Sequence, residues 1–172
     1  MTFRALIGMG LIAIAGLSQA QSTPIEQWQI IEGKGLTDDY VFIGMTRKLA
    51  NTRTANGNCK GKVTECTFRA QDNPIGPSIT LHFSPKNRVT RFDIVQRNGI
   101  AWQTTAGVIE GMTPEQVQAL YPGSTIQQTG QTTQVVMARN QGYSYSYEKV
   151  CNSDDFCDVN IFHSIFKRRK SQ

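Results

Sequence analysis

Beyond Ala20 the chain has no apolar run approaching the roughly eighteen residues a helix needs to cross a bilayer, so no integral membrane segment is expected after that point. It has no C-x-x-C pair, which excludes thioredoxin-like redox chemistry, and its cysteine spacings are not those of zinc knuckles. Histidine is scarce. His82 and His163 show no matching periodicity, and neither a metal nor a cofactor is implied. No G-x-S-x-G elbow presents a serine. Ser84, Ser164 and Asp158 are therefore only nominal partners for the histidines, which read as sheet residues rather than catalytic ones. Around Asp154, Asp155 and Asp158 the alternating ligands, central glycine and closing glutamate of a calcium loop are missing, so these read as solvated carboxylates. Positive charge outside the C-terminus is nearly balanced. The formal charge of +5 becomes +4 without Arg4, and Lys167-Arg168-Arg169-Lys170 carries four positive charges. A near-neutral body offers no nucleic-acid-binding surface.

Residues 1–20 read as a signal peptide. Arg4 supplies the positive start, Ala5 to Leu17 the apolar stretch, and Ser18-Gln19-Ala20 the small residues of a cleavage site. No cysteine follows that stretch, which closes the lipoprotein route and predicts a periplasmic or secreted protein. Residues 21–172 suffice for one domain with its own core. All four cysteines lie in this part, as Cys59 with Cys66 and Cys151 with Cys157. In an oxidising compartment two local disulfides are expected, each contributing roughly 2–3 kcal/mol by closing a short loop.

A repeat sets the architecture. Val41-Phe42-Ile43-Gly44-Met45-Thr46 returns 67 residues later as Val108-Ile109-Glu110-Gly111-Met112-Thr113, and Phe92-Asp93-Ile94-Val95 falls opposite Val159-Asn160-Ile161-Phe162 at the same offset. The expected fold is α+β: two tandem units, about 34–100 and 101–166, each a short helical segment followed by antiparallel strands, with the helices on one side of the sheet. Thr46 and Thr113 stand where helix N-caps belong, and Pro114 and Glu115 suit a first turn. Strands are predicted at 63–69, 78–83, 88–95, 134–138, 143–147 and 159–165 from their β-formers and alternation. Ser84-Pro85-Lys86-Asn87 reads as a hairpin turn. The helix dipole accounts for Glu110 and Glu115 better than paired-carboxylate hydrolysis does.

Ile43-Gly44-Met45-Thr46 and Gly111-Met112-Thr113-Pro114-Glu115-Gln116-Val117 open such units. This plan resembles the unit of the β-lactamase-inhibitor-protein fold and of the small outer-membrane-assembly lipoproteins of the SmpA/BamE family. Thr104 to Thr113, with Leu120-Tyr121-Pro122, is similar to a segment of exported bacterial proteins containing two such units. The resemblance implies an α+β recognition module and carries over no binding residues.

Tyr143, Tyr145 and Tyr147 share one strand face and form the candidate binding surface, with core burial beneath the helix as the competing placement. The sequence is thus read as an exported, non-catalytic binding module of the bacterial envelope with a protein partner, an inhibitor or assembly factor. Its alternatives are an envelope hydrolase with an unrecognised site, or a binder of cell-wall glycan or lipid head groups.

Overall fold

Thr46 and Thr113 open the two helices with the same chemistry. Each is extended (φ −74°), and its hydroxyl accepts a main-chain N–H of the first turn, from Leu49 and Gln116 respectively. Helix α1 (Arg47–Arg53) and helix α2 (Pro114–Leu120) each run seven residues. In α2 the Gln116 side chain also accepts from the Thr113 N–H at 2.8 Å, which closes a capping box that α1 lacks. The computed structural model describes residues 27–54, 59–69, 77–96, 102–129, 133–151 and 157–168. The signal peptide of the sequence reading lies outside them, as do Asp154 and Asp155.

The described fold is mixed α/β, with two helices and ten strands in two sheets. The small sheet joins β1 (Gln29–Ile31), β2 (Gly35–Leu36) and β6 (Gln103–Thr104), with β1 parallel to β6. The large sheet is antiparallel. It comprises β3 (Glu65–Arg69), β4 (Ser78–Phe83), β5 (Val89–Gln96), β7 (Thr125–Thr129), β8 (Thr133–Ala138), β9 (Tyr143–Cys151) and β10 (Cys157–Phe166). The spatial order is β3-β4-β5-β10-β9-β8-β7. Apart from β7, that order is a mirror about the β5/β10 pair. At its centre Val95 faces Phe162, flanked by Ile94 opposite His163 and Gln96 opposite Ile161.

Alternation along each strand sorts the two faces. Ile79, Leu81, Phe92, Ile94, Ile161, Ile165, Tyr143 and Tyr145 point to one side and are buried there. Helix α2 covers that face, and Tyr121, the residue after its end, has its ring 5.1 Å from Tyr143. The small sheet packs on the same side, where Gln96 donates to the Trp102 carbonyl at 2.8 Å. Glu32 ties the layers together: its buried carboxylate accepts from Tyr121 Oη at 2.7 Å, from the Ala106 N–H at 3.2 Å and from the Thr105 hydroxyl. Burial alone would raise this carboxyl, but the donors outweigh it and hold Glu32 below the usual carboxylate range. Two glycine turns meet nearby. A Cβ on Gly142 (φ +73°) would lie 2.6 Å from the Gly33 Cα, so neither backbone conformation nor space admits a side chain.

Strand β7 departs from the expected three strands per unit. Thr125-Ile126-Gln127-Gln128-Thr129 is almost wholly exposed and lacks apolar alternation, so its place comes from main-chain pairing with β8. A disulfide joins Cys59 to Cys66, whose side chains are buried. Cys151 and Cys157 pair in backbone register, while their side chains lie outside the described residues. Replacing the first bridge by Cys59→Ala/Cys66→Ala is expected to lower the unfolding free energy by about 2–3 kcal/mol, read as a lower urea midpoint. An unchanged midpoint would mean that the short loop needs no covalent closure. Among the described residues no helix is long and apolar enough to cross a membrane.

Candidate functional site

The turn Ser84-Pro85-Lys86-Asn87-Arg88 closes through the Ser84 N–H to the Arg88 carbonyl at 2.8 Å and the Asn87 N–H to the Ser84 carbonyl at 2.9 Å. Asn87 takes a left-handed conformation (φ +54°), which its short amide side chain tolerates. The start of α1 is stitched onto this turn. Thr46 bridges Arg88, and the Arg47 N–H donates to the Asn87 carbonyl at 2.9 Å. The hairpin tip therefore stands as a wall, with a cleft on either side of it.

One cleft, of about 660 Å³, lies between the tip and the Gly33-Lys34 turn. Phe42, Ile43 and Val89 contribute carbon to its lining, and Lys34, Lys86, Arg88 and Lys167 its positive charge. The other, of about 480 Å³, lies against α1 and is lined by Arg47, Lys48, Asn51, Lys60 and Asn87, again with Lys86 and Arg88. Asp39 is the one carboxylate among the described lining residues of either cleft, and Lys34 Nζ lies 3.6 Å from it. The guanidinium groups are placed by specific contacts. Arg47 Nε donates to Asn87 Oδ1 at 3.0 Å and its guanidinium lies 4.1 Å over the Phe83 ring. Its Nη1 is buried with no partner among the described residues. Arg88 Nη1 donates to the Gly44 carbonyl at 2.9 Å.

The helix dipole favours neither Arg47 nor Lys48, although Arg47 is held by Asn87 and the Phe83 ring. They occupy the first turn of α1, where the helix dipole disfavours cations, and that turn holds no acid. The matching turn of α2 has Pro114 and Glu115, the stabilising choices. No protein-family model, curated protein or solved structure matches this chain.

The residues singled out from the sequence lie elsewhere. Tyr143 and Tyr145 are fully buried, and Tyr147 is half-buried against the core. Tyr143 Oη lies 2.7 Å from His163 Nδ1, and Tyr145 Oη donates to the Met112 carbonyl at 2.6 Å. Burial pushes both phenols up. The ladder faces α2, so it forms core in place of the open surface expected of it. His163 is also interior, Nε2 lying 3.0 Å from Gln96 Nε2, and burial depresses its imidazole to about 3.

His82 sits on the opposite sheet face between two acids. Its Nε2 lies 2.7 Å from Asp93 Oδ2 and its Nδ1 lies 3.4 Å from Glu65 Oε2. Arg91 clamps Asp93, with Nη2 donating at 2.6 Å. Burial would raise Asp93, but hydrogen bonds from Arg91, Ser164 and His82 together bring it below the usual range. The Ser164 hydroxyl thus serves the carboxylate, and the Ser84 hydroxyl accepts the Arg88 N–H at 3.3 Å in its own turn. Glu65 and Asp93 lie on the open sheet with His82 and Arg91, whereas Lys34, Lys86, Arg88 and Lys167 line a cleft with one carboxylate, Asp39, in its described lining. A near-neutral count hid this, because Lys34, Arg47, Lys48, Lys60, Lys86 and Arg88 form no run. The legible signal was Arg47-Lys48 directly after a helix cap.

Proposed function

We propose that this chain is an exported, non-catalytic binding module of the bacterial envelope, and that it docks a protein partner through an acidic surface seated on the two basic clefts. Cations from five separated stretches of chain converge on clefts that share Lys86 and Arg88, with a single carboxylate in the described lining. That convergence carries the reading. A patch of one sign selects partners of the other and speeds their encounter. Tyr143 and Tyr145 drop out as the contact surface because their rings are interior, which leaves Tyr147 half-buried beside them.

On this reading the molecule is a doubled unit of the β-lactamase-inhibitor-protein-like and SmpA/BamE-like plan. The support is that α1 and α2, with their caps, share the 67-residue offset, and that Gln96 and His163, 67 apart, meet across the central strand pair. On this reading the two helix starts differ, with Arg47 and Lys48 in one where Pro114 and Glu115 stand in the other. Export is supported by the apolar leader and, weakly, by the Cys59–Cys66 bridge.

Immobilised poly-L-glutamate tests the surface. The protein is expected to be retained at low ionic strength, about 0.05 M, and released near 1 M. Lys48→Gln/Lys86→Gln changes two exposed side chains and is expected to weaken retention about fivefold to thirtyfold. Equal retention of parent and variant would remove the clefts from the binding surface.

A further inference from the structure

The two clefts differ in chemistry, and the difference describes the ligand. The larger has an apolar floor of Phe42, Ile43 and Val89 beneath its ring of cations. The smaller has no aliphatic or aromatic side chain in its described lining and is walled by Arg47, Lys48, Asn51 and Lys60. We infer that the larger cleft receives an apolar side chain of the partner, and that carboxylates neighbouring this side chain meet the cations of both clefts. The ligand is then an acidic peptide segment with one aliphatic or aromatic residue set among aspartates and glutamates. This rests on the reading of the basic clefts as the binding surface.

Volume and geometry favour a segment. A space of about 660 Å³ holds a large side chain with the backbone that bears it, within the range of formed ligand sites. Burying that side chain supplies affinity, while the charges supply orientation and on-rate. Arg88 is held by the Gly44 carbonyl and Arg47 by Asn87 and the Phe83 ring, so both guanidinium groups are placed before a ligand arrives. Planar guanidinium matches carboxylate in two-point hydrogen bonding. A lipid surface fits less well. It is flat, whereas the carbon here is recessed, and the exposed large apolar residues Val63, Ile109, Leu120 and Val159 are not among those lining either cleft.

Two labelled glutamate peptides, one with leucine at the centre and one with serine, would be titrated against the full mature protein and followed by fluorescence anisotropy. The leucine peptide is expected to bind about tenfold to a hundredfold more tightly, the effect of removing one such side chain from water. Ile43→Asn is expected to abolish the preference for the leucine peptide over the serine peptide. Equal affinity of the two peptides for the parent overturns the inference and leaves the basic surface standing. Failure of both peptides to bind overturns the surface as well. Tighter association with phosphatidylglycerol vesicles than with the leucine peptide also overturns it, in favour of a lipid ligand.

Discussion

Tyr143→Ala is expected to destabilise the protein by about 3–5 kcal/mol, the cost of emptying a large aromatic site in a packed core. The Tyr143 ring is fully buried, 5.1 Å from the Tyr121 ring and 6.0 Å from His163. Its hydroxyl also partners His163 Nδ1 at 2.7 Å, so truncation removes both packing and a hydrogen bond. Tyr143→Phe keeps the ring and separates the two losses. It is expected to cost about 1–3 kcal/mol, because a polar ring nitrogen is left buried without its partner. Urea unfolding with an unchanged slope would measure both values. A change within about 0.5 kcal/mol for Tyr143→Ala would be surface behaviour, and would return the tyrosine ladder to the list of contact residues.

Acidification is expected to destabilise the protein through His163 from about pH 6.5 downward. The imidazole is completely buried, and desolvation of its charged form lowers it to about 3 in the folded chain. Above pH 6.5 both folded and unfolded rings are neutral, so the group adds no pH dependence there. Below it the unfolded ring takes up a proton that the folded ring refuses. Stability then falls by about 1.4 kcal/mol per pH unit, and by as much as roughly 5 kcal/mol by about pH 3. The neighbouring phenols of Tyr143 and Tyr145 stay neutral across this window, since burial raises both. Glu32 acts in the same direction at lower pH. Its folded value lies beneath 4.5, so its contribution is present above 4.5 and is lost as pH falls through the folded value. Urea midpoints at stepped pH should therefore begin to fall near 6.5 in the parent, and remain flatter down to the carboxylate range in His163→Gln. Superimposable pH profiles for the two proteins would rule His163 out as the source.

Much of the local structure was legible because its causes are local. A threonine hydroxyl caps the next turn whatever lies beyond it, so Thr46 and Thr113 marked both helix starts. Ser78 to Phe83 alternates apolar and polar residues, and the strand occupies those bounds. Strand β7 and the short strands of the small sheet carry no such pattern. Their main-chain hydrogen bonds depend on partners elsewhere in the chain, which a window of sequence does not contain.

The sequence by itself determined where the helices begin, which strands alternate, which cysteines lie close along the chain and that Tyr143, Tyr145 and Tyr147 share a face. Tertiary structure decided which face lies inside. Alternation separates two sides of a strand equally well in either orientation, and only α2 lying over the sheet made the tyrosine side the buried one. Tertiary structure also decided where the charge gathers. Lys34, Arg47, Lys60, Lys86 and Lys167 belong to separate stretches, and they converge because Thr46 bridges Arg88 and the end of β10 returns to the same end of the sheet. Electrostatic fields sum over distance in space, and sequence separation enters only through the fold that sets those distances.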